Sequence, residues 1–535
     1  MTNTIADIET SDMILVVGSN TTENHPVLST FVKRAVLKGK KLYVVDPRRV
    51  KLTEYAEKWL RPLPGTDIAW INGIMHIIIK EDLQNKDFIE KRTENFDGLK
   101  EMVEKYTPEY VESITGIKKE DLFEVARAFA KAPAAAILYC MGITQHTCGT
   151  DNVKSLANLS TLCGHLGKPG GGVNPLRGQN NVQGACDLGG LPNVFTAYMP
   201  VSNEDVKNKF EQAWNVTGMS LTPGLPVTEM IQKAYEGELK SMYIIGENPM
   251  VSDPDLNHAR KAIANLDFLV VQDIFTTETS QMADVVFPAF CFAEKNGTFT
   301  NTERRVQRVR KAVEGPGESR QDWKILCDLA ARMGYEMKYE NSHEIFKEIA
   351  SVTPSYRGIT WERIDKIGIH WPCPDENHEG TPILHTTQFT RGKALFHAIE
   401  HQPPAEIPDK KFPYFLTTGR VLYHYHTGTM TMRSKGLNQL SPECFVEISS
   451  EDAQGLGLEN GAMVDVSSRR GKITAKLKVS SKAVKGAVFI PFHFAQAAAN
   501  ELTNAELDPT AKIPEFKVCA INIEPAESAY LFSLT

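Results

Sequence analysis

The sequence predicts an α/β protein with two doubly wound αβα domains followed by a C-terminal β-barrel domain. Two observations lead to this prediction. From the start of the chain to about residue 373, short apolar strands alternate with amphipathic helical segments, which is typical of parallel sheets with helices on both faces. After about residue 409, short strand-like segments follow one another with turn residues between them, which favours a barrel.

The first αβα domain is predicted from a strand–helix–strand unit near the start of the chain. Met13–Val17 and Lys41–Val45 are apolar enough for buried strands, and Val27–Leu37 has helical periodicity. A unit of about thirty residues with this order implies two parallel strands joined by a helix. Further helices and another strand are predicted over Ile68–Ile79, Lys119–Ala130 and Ala135–Cys140.

The other domains are predicted in the same way. The glycine-rich segment Gly167–Gly190 interrupts the alternation, and so long an irregular segment inside a compact domain is usually functional. Strands resume at Met242–Ile245, Phe268–Val271 and Asp284–Phe287. Barrel strands are predicted in FPYFLTTGR, AMVDVSS, KITAKLKVSS and AVFIPFHF. We therefore expect αβα domains at 1–178 and 179–373, a linker at 374–408 and the barrel domain at 409–535.

Composition and charge exclude several classes of function. The chain of 535 residues has 59 basic and 66 acidic side chains, and its net charge of −7 argues against nucleic acid as the main partner. No apolar run reaches the roughly 18 residues of a membrane span, and residues 1–13 lack the features of a signal peptide. The nine cysteines include no C-x-x-C pair, so we expect reduced thiols, a cytoplasmic location and no metal site built from neighbouring residues.

Polar loops follow the predicted strands of both αβα domains. Ligands of open parallel sheets lie beyond the carboxyl ends of the strands, where an acidic residue such as Asp46 suits a ribose or a purine. Ordinary polar turns also follow strands, so this pattern alone supports nucleotide binding and a plain turn equally. The absence of G-x-G-x-x-G and G-x-x-x-x-G-K-[ST] motifs disfavours nicotinamide binding and P-loop phosphoryl transfer. The loops are Gly18-Ser19-Asn20, Asp46-Pro47-Arg48, Gly246-Glu247-Asn248 and Gln272-Asp273.

Arg177 is the candidate substrate-binding residue. It lies among glycine and asparagine residues, without the periodicity of a surface helix. A planar guanidinium offers two parallel donors to a small carboxylate and stays charged at any working pH. The alternative is a structural arginine that pairs with Asp187 or with a loop carbonyl, and the residues alone favour that alternative slightly.

His424 and His426 follow a predicted barrel strand. Alternate positions of an extended segment face the same side, so the two imidazoles could bind a metal together. The sequence offers no third ligand near them. Contacts with a polar cofactor or with loop carbonyls are therefore the favoured interpretation.

At these residues the chain resembles a known family. The segment GKPGGGVNPLRGQNNVQGACDLG resembles the active-site arginine loop of formate dehydrogenase alpha subunits, which are bis-molybdopterin-guanine-dinucleotide oxidoreductases. Segments resembling the same family follow in its order along the whole chain, which makes the match far more specific than any single motif. They include MILVVGSNTTENHP, VVDPRR, YCMGITQHTCGTDNV, YIIGENPMVSDPD, VVQDIFTTETSQMADVVFPA, NGTFTNTERRVQ, TTGRVLYHYHTGTMT and NELTNAELDPTAKIPEFKVCA.

The resemblance implies a reaction, a cofactor and a set of residues. Formate would be oxidised to carbon dioxide, two electrons and a proton at molybdenum or tungsten held by two pterin guanine dinucleotides. Arg177 would hold the formate carboxylate, with Gln179 close to it. One dinucleotide would contact Gly18, Asn20, Asp46, Arg48 and Gln145; the other would contact Asn248, Ser252, Gln272 and Asp273; and the barrel would add Arg420, His424, Asn500, Phe516 and Lys517.

The sequence also departs from the family pattern. The family begins with four cysteines that bind a [4Fe–4S] cluster, then a lysine on the electron path, then a selenocysteine or cysteine followed by histidine, and this sequence contains none of them. We therefore expect a chain that is incomplete and inactive alone, and that depends on an N-terminal iron–sulfur segment or an electron-transfer subunit. A selenocysteine codon read as a stop, or a split gene, would explain this. The alternative is a non-catalytic dinucleotide-binding module; the loop VNPLRGQNNVQGACD disfavours a nitrate reductase.

Overall fold

A computed structural model of the chain describes residues 1–526, so residues 527–535 of the predicted barrel domain lie outside the described residues. The strands are β1 Met13–Val17, β2 Lys41–Val45, β3 Lys58–Leu60, β4 Thr93–Glu94, β5 Ala135–Tyr139, β6 Val173–Pro175, β7 Ser241–Ile245, β8 Phe268–Asp273, β9 Val285–Pro288, β10 Gly297–Thr300, β11 Arg305–Val309, β12 Ile369–His370, β13 Ala394–Leu395, β14 Tyr414–Gly419, β15 Phe445–Ile448, β16 Met463–Ser467, β17 Lys472–Val479, β18 Ala487–Pro491 and β19 Cys519–Pro525. The α-helices are α1 Thr21–Asn24, α2 Pro26–Leu37, α3 Asp67–Lys80, α4 Lys86–Arg92, α5 Phe96–Val103, α6 Pro108–Thr115, α7 Lys119–Lys131, α8 Met141–Thr144, α9 Gly149–Leu162, α10 Val182–Asp187, α11 Glu204–Trp214, α12 Val227–Tyr235, α13 Pro249–Ser252, α14 Leu256–Ala264, α15 Asp322–Arg332, α16 Ser342–Val352, α17 Lys435–Leu440 and α18 Ser450–Leu456.

The chain divides into two compact units. Unit 1 contains Met1–Leu176, Val251–Asn257 and the chain from Ile383 onward. Unit 2 contains Arg177–Met250 and His258–Pro382. Among the described residues, no helix has the length and apolar character needed to cross a membrane.

Unit 1 begins with a five-stranded parallel sheet in the order β3-β2-β1-β5-β6. All five residues of the central strand β1 are buried. Because successive side chains of a strand face opposite ways, Leu15 packs in a cluster with residues of α3, α7 and α9, whereas Ile14 and Val16 pack with residues of α2. Helices therefore cover both faces, and the predicted doubly wound αβα fold is confirmed for this sheet.

The C-terminal part of unit 1 is a closed six-stranded barrel in the order β14-β18-β15-β17-β16-β19. Strand β17 shows the alternation expected of a barrel wall, with Ile473, Ala475 and Leu477 buried. The predicted barrel is confirmed, and its four predicted strands are present. Strands β15 and β19 were not predicted, because Glu447 and Asn522 interrupt their apolar runs.

Unit 2 contains the three-stranded parallel sheet β7-β8-β9 and a separate antiparallel sheet β10-β11-β12. Ile244 and Val271 of the parallel sheet pack against Ile231 of α12 and Ala259 of α14. The antiparallel sheet was not predicted; its residue Val306 packs with a second cluster around Phe346 and Tyr356. The second αβα core is therefore small and carries an added antiparallel layer.

Shortening a side chain of the central strand is expected to destabilise unit 1. Leu15→Ala removes a fully buried side chain and leaves a cavity, which costs about 2–5 kcal/mol. Leu37→Ala, at a position that is 80% exposed at the end of α2, is the matched control and should cost much less. Thermal unfolding followed by circular dichroism measures both, and equal midpoints for the two variants would contradict this account of the core.

Candidate functional site

A cavity of unit 1 lies where the parallel sheet ends and the barrel begins. It encloses about 850 Å³, its open mouth included. Its wall comes from the loops that follow β1, β2 and β5, from the ends of β14 and β18, and from the segment that precedes α3. Residues near the carboxyl ends of neighbouring parallel strands meet at one edge, which is why loops distant in sequence share this cavity.

Two glycines form the floor of the cavity. Gly18 has a φ of +53°, and a Cβ built on it would lie 2.8 Å from the carbonyl carbon of Gly142. A Cβ on Gly142 would lie 2.5 Å from the carbonyl oxygen of Gly18. The backbone N–H of Gly142 donates to that oxygen at 3.1 Å. The two backbones therefore touch, and neither position accepts a side chain.

Three cationic side chains line the wall: Arg48, Arg420 and Lys517. Lys517 donates from Nζ to the carbonyl oxygen of Thr418 at 2.6 Å. The pKa of Lys517 is lowered to about 8, mainly by burial; the charges of Arg420 and Arg48 act in the same direction, while Cys140 and Asp46 oppose the shift. Burial also lowers the pKa of Arg420. A cluster of partly desolvated cations favours an anionic ligand.

Arg48 is held by the barrel. Its Nη2 donates to Oε1 of Glu447 at 2.6 Å, and Glu447 is only 1% exposed. The guanidinium carbon lies 3.5 Å from the ring centroid of Phe489. The buried Nε of Arg48 has no hydrogen-bond partner among the described residues. The buried Oδ1 atoms of Asn20 and Asn24, which also line the cavity, lack partners in the described chain as well.

Two carboxylates lie in the same cavity. Oδ1 of Asp46 accepts the backbone N–H of Arg48 at 2.9 Å, and burial raises the pKa of Asp46 to about 6 against the opposing effects of Arg48 and Lys517. Burial likewise raises the pKa of Asp67, which accepts from Nε1 of Trp70 at 3.1 Å. Carboxylate oxygens suit the N–H donors of a purine or the hydroxyls of a ribose.

Several other predicted contacts lie outside this cavity wall. The backbone N–H of Gln145, which follows α8, donates to the carbonyl oxygen of Met141 at 3.0 Å. The ring nitrogens of His424 contact Oγ1 of Thr431 at 3.1 Å and the carbonyl oxygen of Ser441 at 2.6 Å. Among the described residues, no three His, Cys, Asp or Glu side chains are grouped as metal ligands. The carbonyl oxygen of Phe516 accepts from Thr418 at 2.8 Å.

Asn500 and Ser252, both in unit 1, are brought together. Nδ2 of Asn500 donates to the carbonyl oxygen of Ser252 at 2.8 Å and to that of Val251 at 3.3 Å. Oδ1 of Asn500 is buried and has no hydrogen-bond partner in the part of the chain that the structure describes. This side chain thus fixes one loop and keeps an acceptor available.

The predicted strand-end residues of unit 2 form their own group. Asn248 accepts from Oγ1 of Thr279 at 2.7 Å and donates to Glu278 at 2.7 Å. Gln272 is fully buried; it accepts from the hydroxyl of Tyr243 and donates to Asp322 at 2.8 Å. The adjacent carboxylate, Asp273, accepts the backbone N–H of Ile274 at 2.6 Å.

Arg177 opens unit 2 and is held at two points. Its backbone N–H donates to Oγ1 of Thr302 at 3.1 Å, and its Nε donates to Oε1 of Gln183 at 3.3 Å. Gln183 in turn donates to Oδ1 of Asp187 at 2.8 Å. Asp187 is therefore linked to Arg177 through an intervening amide. Gln179 lies two residues further along the same loop and is half-buried.

Sequence reasoning missed part of the cavity wall. Gly142 follows the predicted strand Ala135–Cys140, so it could have been found by the rule that located Gly18. Asp67 follows the turn-forming residues of Pro62–Gly65, which is a weaker signal. Glu447 carries no local signal, because its partner Arg48 lies 399 positions away.

The cavity fits a ligand that combines a diphosphate with a purine. Two glycines with touching backbones, three cations, two carboxylates and buried polar atoms that have no partner among the described residues are all present in one wall. The donor and acceptor set therefore matches a nucleotide-bearing cofactor.

Comparison with known proteins identifies families whose models match this chain. The family model "Molybdopterin oxidoreductase" matches residues 1–332, and "Molydopterin dinucleotide binding domain" matches residues 414–520. In the solved structures, acetylene hydratase from Pelobacter acetylenicus has a TM-score of 0.77 and 19% identity over 98% of this chain and 81% of its own, which shows a shared fold.

Curated relatives extend over nearly the whole chain. The F420-dependent formate dehydrogenase subunit alpha of Methanocaldococcus jannaschii is 53% identical over 98% of this chain and 78% of its own length. Formate dehydrogenase H of Escherichia coli is 39% identical over 98% of this chain and 74% of its own. The resemblance drawn from the sequence is thereby confirmed: the chain belongs to the molybdopterin oxidoreductase family and is a homologue of formate dehydrogenase alpha subunits.

Proposed function

We propose that this chain is the cofactor-binding body of a formate dehydrogenase alpha subunit, which oxidises formate to carbon dioxide with release of two electrons and a proton. The observation that carries the proposal is the cavity of unit 1, whose glycine floor and three cations suit a dinucleotide. The names of relatives that match 98% of the chain support the choice of formate as substrate.

The cavity of unit 1 would hold one molybdopterin guanine dinucleotide. Backbone groups at Gly18 and Gly142 would face its diphosphate, and Arg48, Arg420 and Lys517 would neutralise the charge. The carboxylates described above would hold the nucleoside, together with Asn20 and Asn24, whose Oδ1 atoms have no hydrogen-bond partner in the described chain. When bound, the cofactor supplies the redox chemistry of molybdenum or tungsten.

The remaining predicted contacts belong to the same proposal. In unit 2, the strand-end residues Asn248, Gln272 and Asp273 are expected to contact the second dinucleotide. In unit 1, Gln145, His424 and Phe516 are expected to support the cofactors from positions next to the cavity wall. Ser252 and Asn500 of unit 1 are also expected to contact the cofactors.

Arg177 would bind the substrate. Formate is a planar anion with two equivalent oxygens, and a guanidinium can donate to both at once without changing its charge. Gln179 would lie beside it. The electrons would pass to an iron–sulfur segment or a partner subunit, and the designation of the relatives as alpha subunits supports such a partner.

Substitution of Arg177 tests the substrate proposal. In the cofactor-loaded enzyme, Arg177→Lys should raise the KM for formate at least about tenfold, because an ammonium cannot donate to both oxygens in one plane. Formate-dependent reduction of a viologen dye measures this. Arg310→Lys, at an exposed arginine of unit 2 that pairs with Asp365, is the control. A KM unchanged by Arg177→Lys would sink the proposed clamp.

The pKa values of Asp46 and Lys517 predict a pH optimum for nucleotide binding. With GDP as a probe of the empty chain, affinity should fall below about pH 6, where Asp46 becomes protonated and loses acceptor strength. It should also fall above about pH 8, where Lys517 loses its charge. Isothermal titration calorimetry should show that Asp46→Asn reduces the loss of GDP affinity at acid pH. It should also show that Lys517→Arg reduces the loss of affinity at alkaline pH. Identical profiles for both variants and the parent chain would contradict these roles.

Removal of the Arg48 anchor should reduce cofactor loading. Glu447→Gln leaves a buried guanidinium without its counter-charge, which releases Arg48 from its place and costs about 3–5 kcal/mol of stability. Guanine nucleotide released per chain after acid denaturation measures the loading. Glu443→Gln, which breaks an exposed barrel pair with Lys476, is the matched control and should keep full loading. Equal loading of the two variants would show that the anchor is dispensable.

A further inference from the structure

We infer that Asp187 is a positioning residue for Arg177: it fixes the orientation of the Gln183 amide, whose oxygen then holds the arginine side chain. The inference rests on the proposed function, since the orientation of Arg177 matters only if this residue binds formate. It concerns residues of unit 2 alone. None of them is assigned a role by the strand-end pattern or by the cofactor cavity.

Asp187 is a buried acceptor surrounded by donors. Its side chain is at the end of α10, and the residue is 2% exposed. Oδ1 accepts from Nε2 of Gln183 and from the hydroxyl of Tyr198, each at 2.8 Å. Oδ2 accepts from the hydroxyl of Tyr356 at 2.8 Å. Burial raises the pKa of Asp187, and the bonds from these three donors oppose that shift.

This arrangement determines which way the Gln183 amide points. A carboxylate can only accept, so Gln183 must turn its NH₂ group toward Asp187. The amide oxygen then points the other way, 3.3 Å from Nε of Arg177. The opposite orientation would place an oxygen against the carboxylate and an NH₂ group against the guanidinium, and both contacts would be repulsive. The charge of Asp187 thus determines the orientation of the Gln183 amide, and this orientation places the amide oxygen against Arg177.

The group of hydrogen-bonded side chains formed by Asp187, Gln183 and Tyr198, which we call the bracket, is anchored in the core of unit 2. Tyr356 is 1% exposed, belongs to the cluster around Phe346 and also shares a hydrogen bond with Thr300 at 2.9 Å. Asp187 therefore occupies a fixed point. Because Gln183 precedes it by four residues on α10, the two side chains lie on the same face of the helix.

Backbone strain nearby points the same way. Ala197 and Tyr198 both lie in the left-handed region, with φ of +55° and +59°, a conformation that costs energy for residues other than glycine. The strained turn places the hydroxyl of Tyr198 between the two side chains, where it donates to Asp187 and accepts from Gln183 at 3.1 Å. A turn held in this conformation to make two hydrogen bonds indicates that the position of this bracket matters.

The bracket has a consequence for substrate geometry. Thr302 holds the backbone N–H of Arg177, and Gln183 takes its Nε–H. Loss of the bracket should weaken formate binding more than the chemical step, since it misplaces a binding group.

A reversal of polarity tests this inference in the cofactor-loaded enzyme. Asp187→Asn lets the amide of Gln183 flip, and Gln183→Glu places two carboxylates side by side, so each alone should raise the KM for formate about tenfold with a smaller change in kcat. The double variant restores a donor facing an acceptor and again presents an oxygen to Arg177. Its KM should return to within about threefold of the parent value. Tyr339→Phe, at a tyrosine of unit 2 bonded to Glu348, is the control.

The outcomes separate this inference from the function on which it rests. Rescue of KM by the double variant supports a positioning role, because a merely structural defect would not be repaired by a second change. A double variant no better than the single ones, or an unchanged KM in Asp187→Asn, overturns the inference alone if Arg177→Lys still raises KM. An unchanged KM in Arg177→Lys overturns the proposed clamp as well. If Asp187→Asn fails to load cofactor, the KM of the double variant still tests the inference. Tyr198→Phe, which removes one donor to Asp187, tests it as well and should raise the KM for formate.

Discussion

The buried ion pair between Arg48 and Glu447 is the interaction on which unit 1 depends. It joins the loop after β2 to the barrel strand β15 across 399 positions of the chain. The partners are desolvated, so separating them would leave a charge without compensation. The pair also places a guanidinium on the ring of Phe489 at the edge of the cavity. This contact therefore joins the barrel to the sheet and places a cation at the ligand site.

The two candidate ligand-binding arginines, Arg48 and Arg177, are held in place in a similar way. Arg48 is oriented by a buried carboxylate directly, and Arg177 is oriented by a buried carboxylate through an amide. An arginine side chain has many rotamers. A site that uses an arginine for recognition must restrict these rotamers before the ligand binds. In both cases the acid comes from a core element, so rigid packing determines the direction in which a charged group points.

Features formed by residues that are close together in the sequence could be predicted, whereas contacts between distant residues could not. The strand β1 and the helix α2 were predicted because each is defined by its own residues, and the strand-end rule located Gly18, Asp46 and Arg48 at the cavity. Strands β15 and β19 were missed, since the polar residues Glu447 and Asn522 interrupt their apolar runs. Glu447 could not be found, because only folding brings it to Arg48. The link from Asp187 to Tyr356 likewise spans 169 positions and leaves no local pattern.

The most direct test of the central claim is a crystal structure of the chain purified with its cofactor under anaerobic conditions. The account predicts a guanine dinucleotide in the cavity of unit 1. Its diphosphate should lie on the backbone of Gly18 and Gly142 beside Arg48 and Lys517, and its nucleoside should lie within hydrogen-bond distance of Asp46 or Asp67. A dinucleotide bound elsewhere, with only water in this cavity, would contradict it.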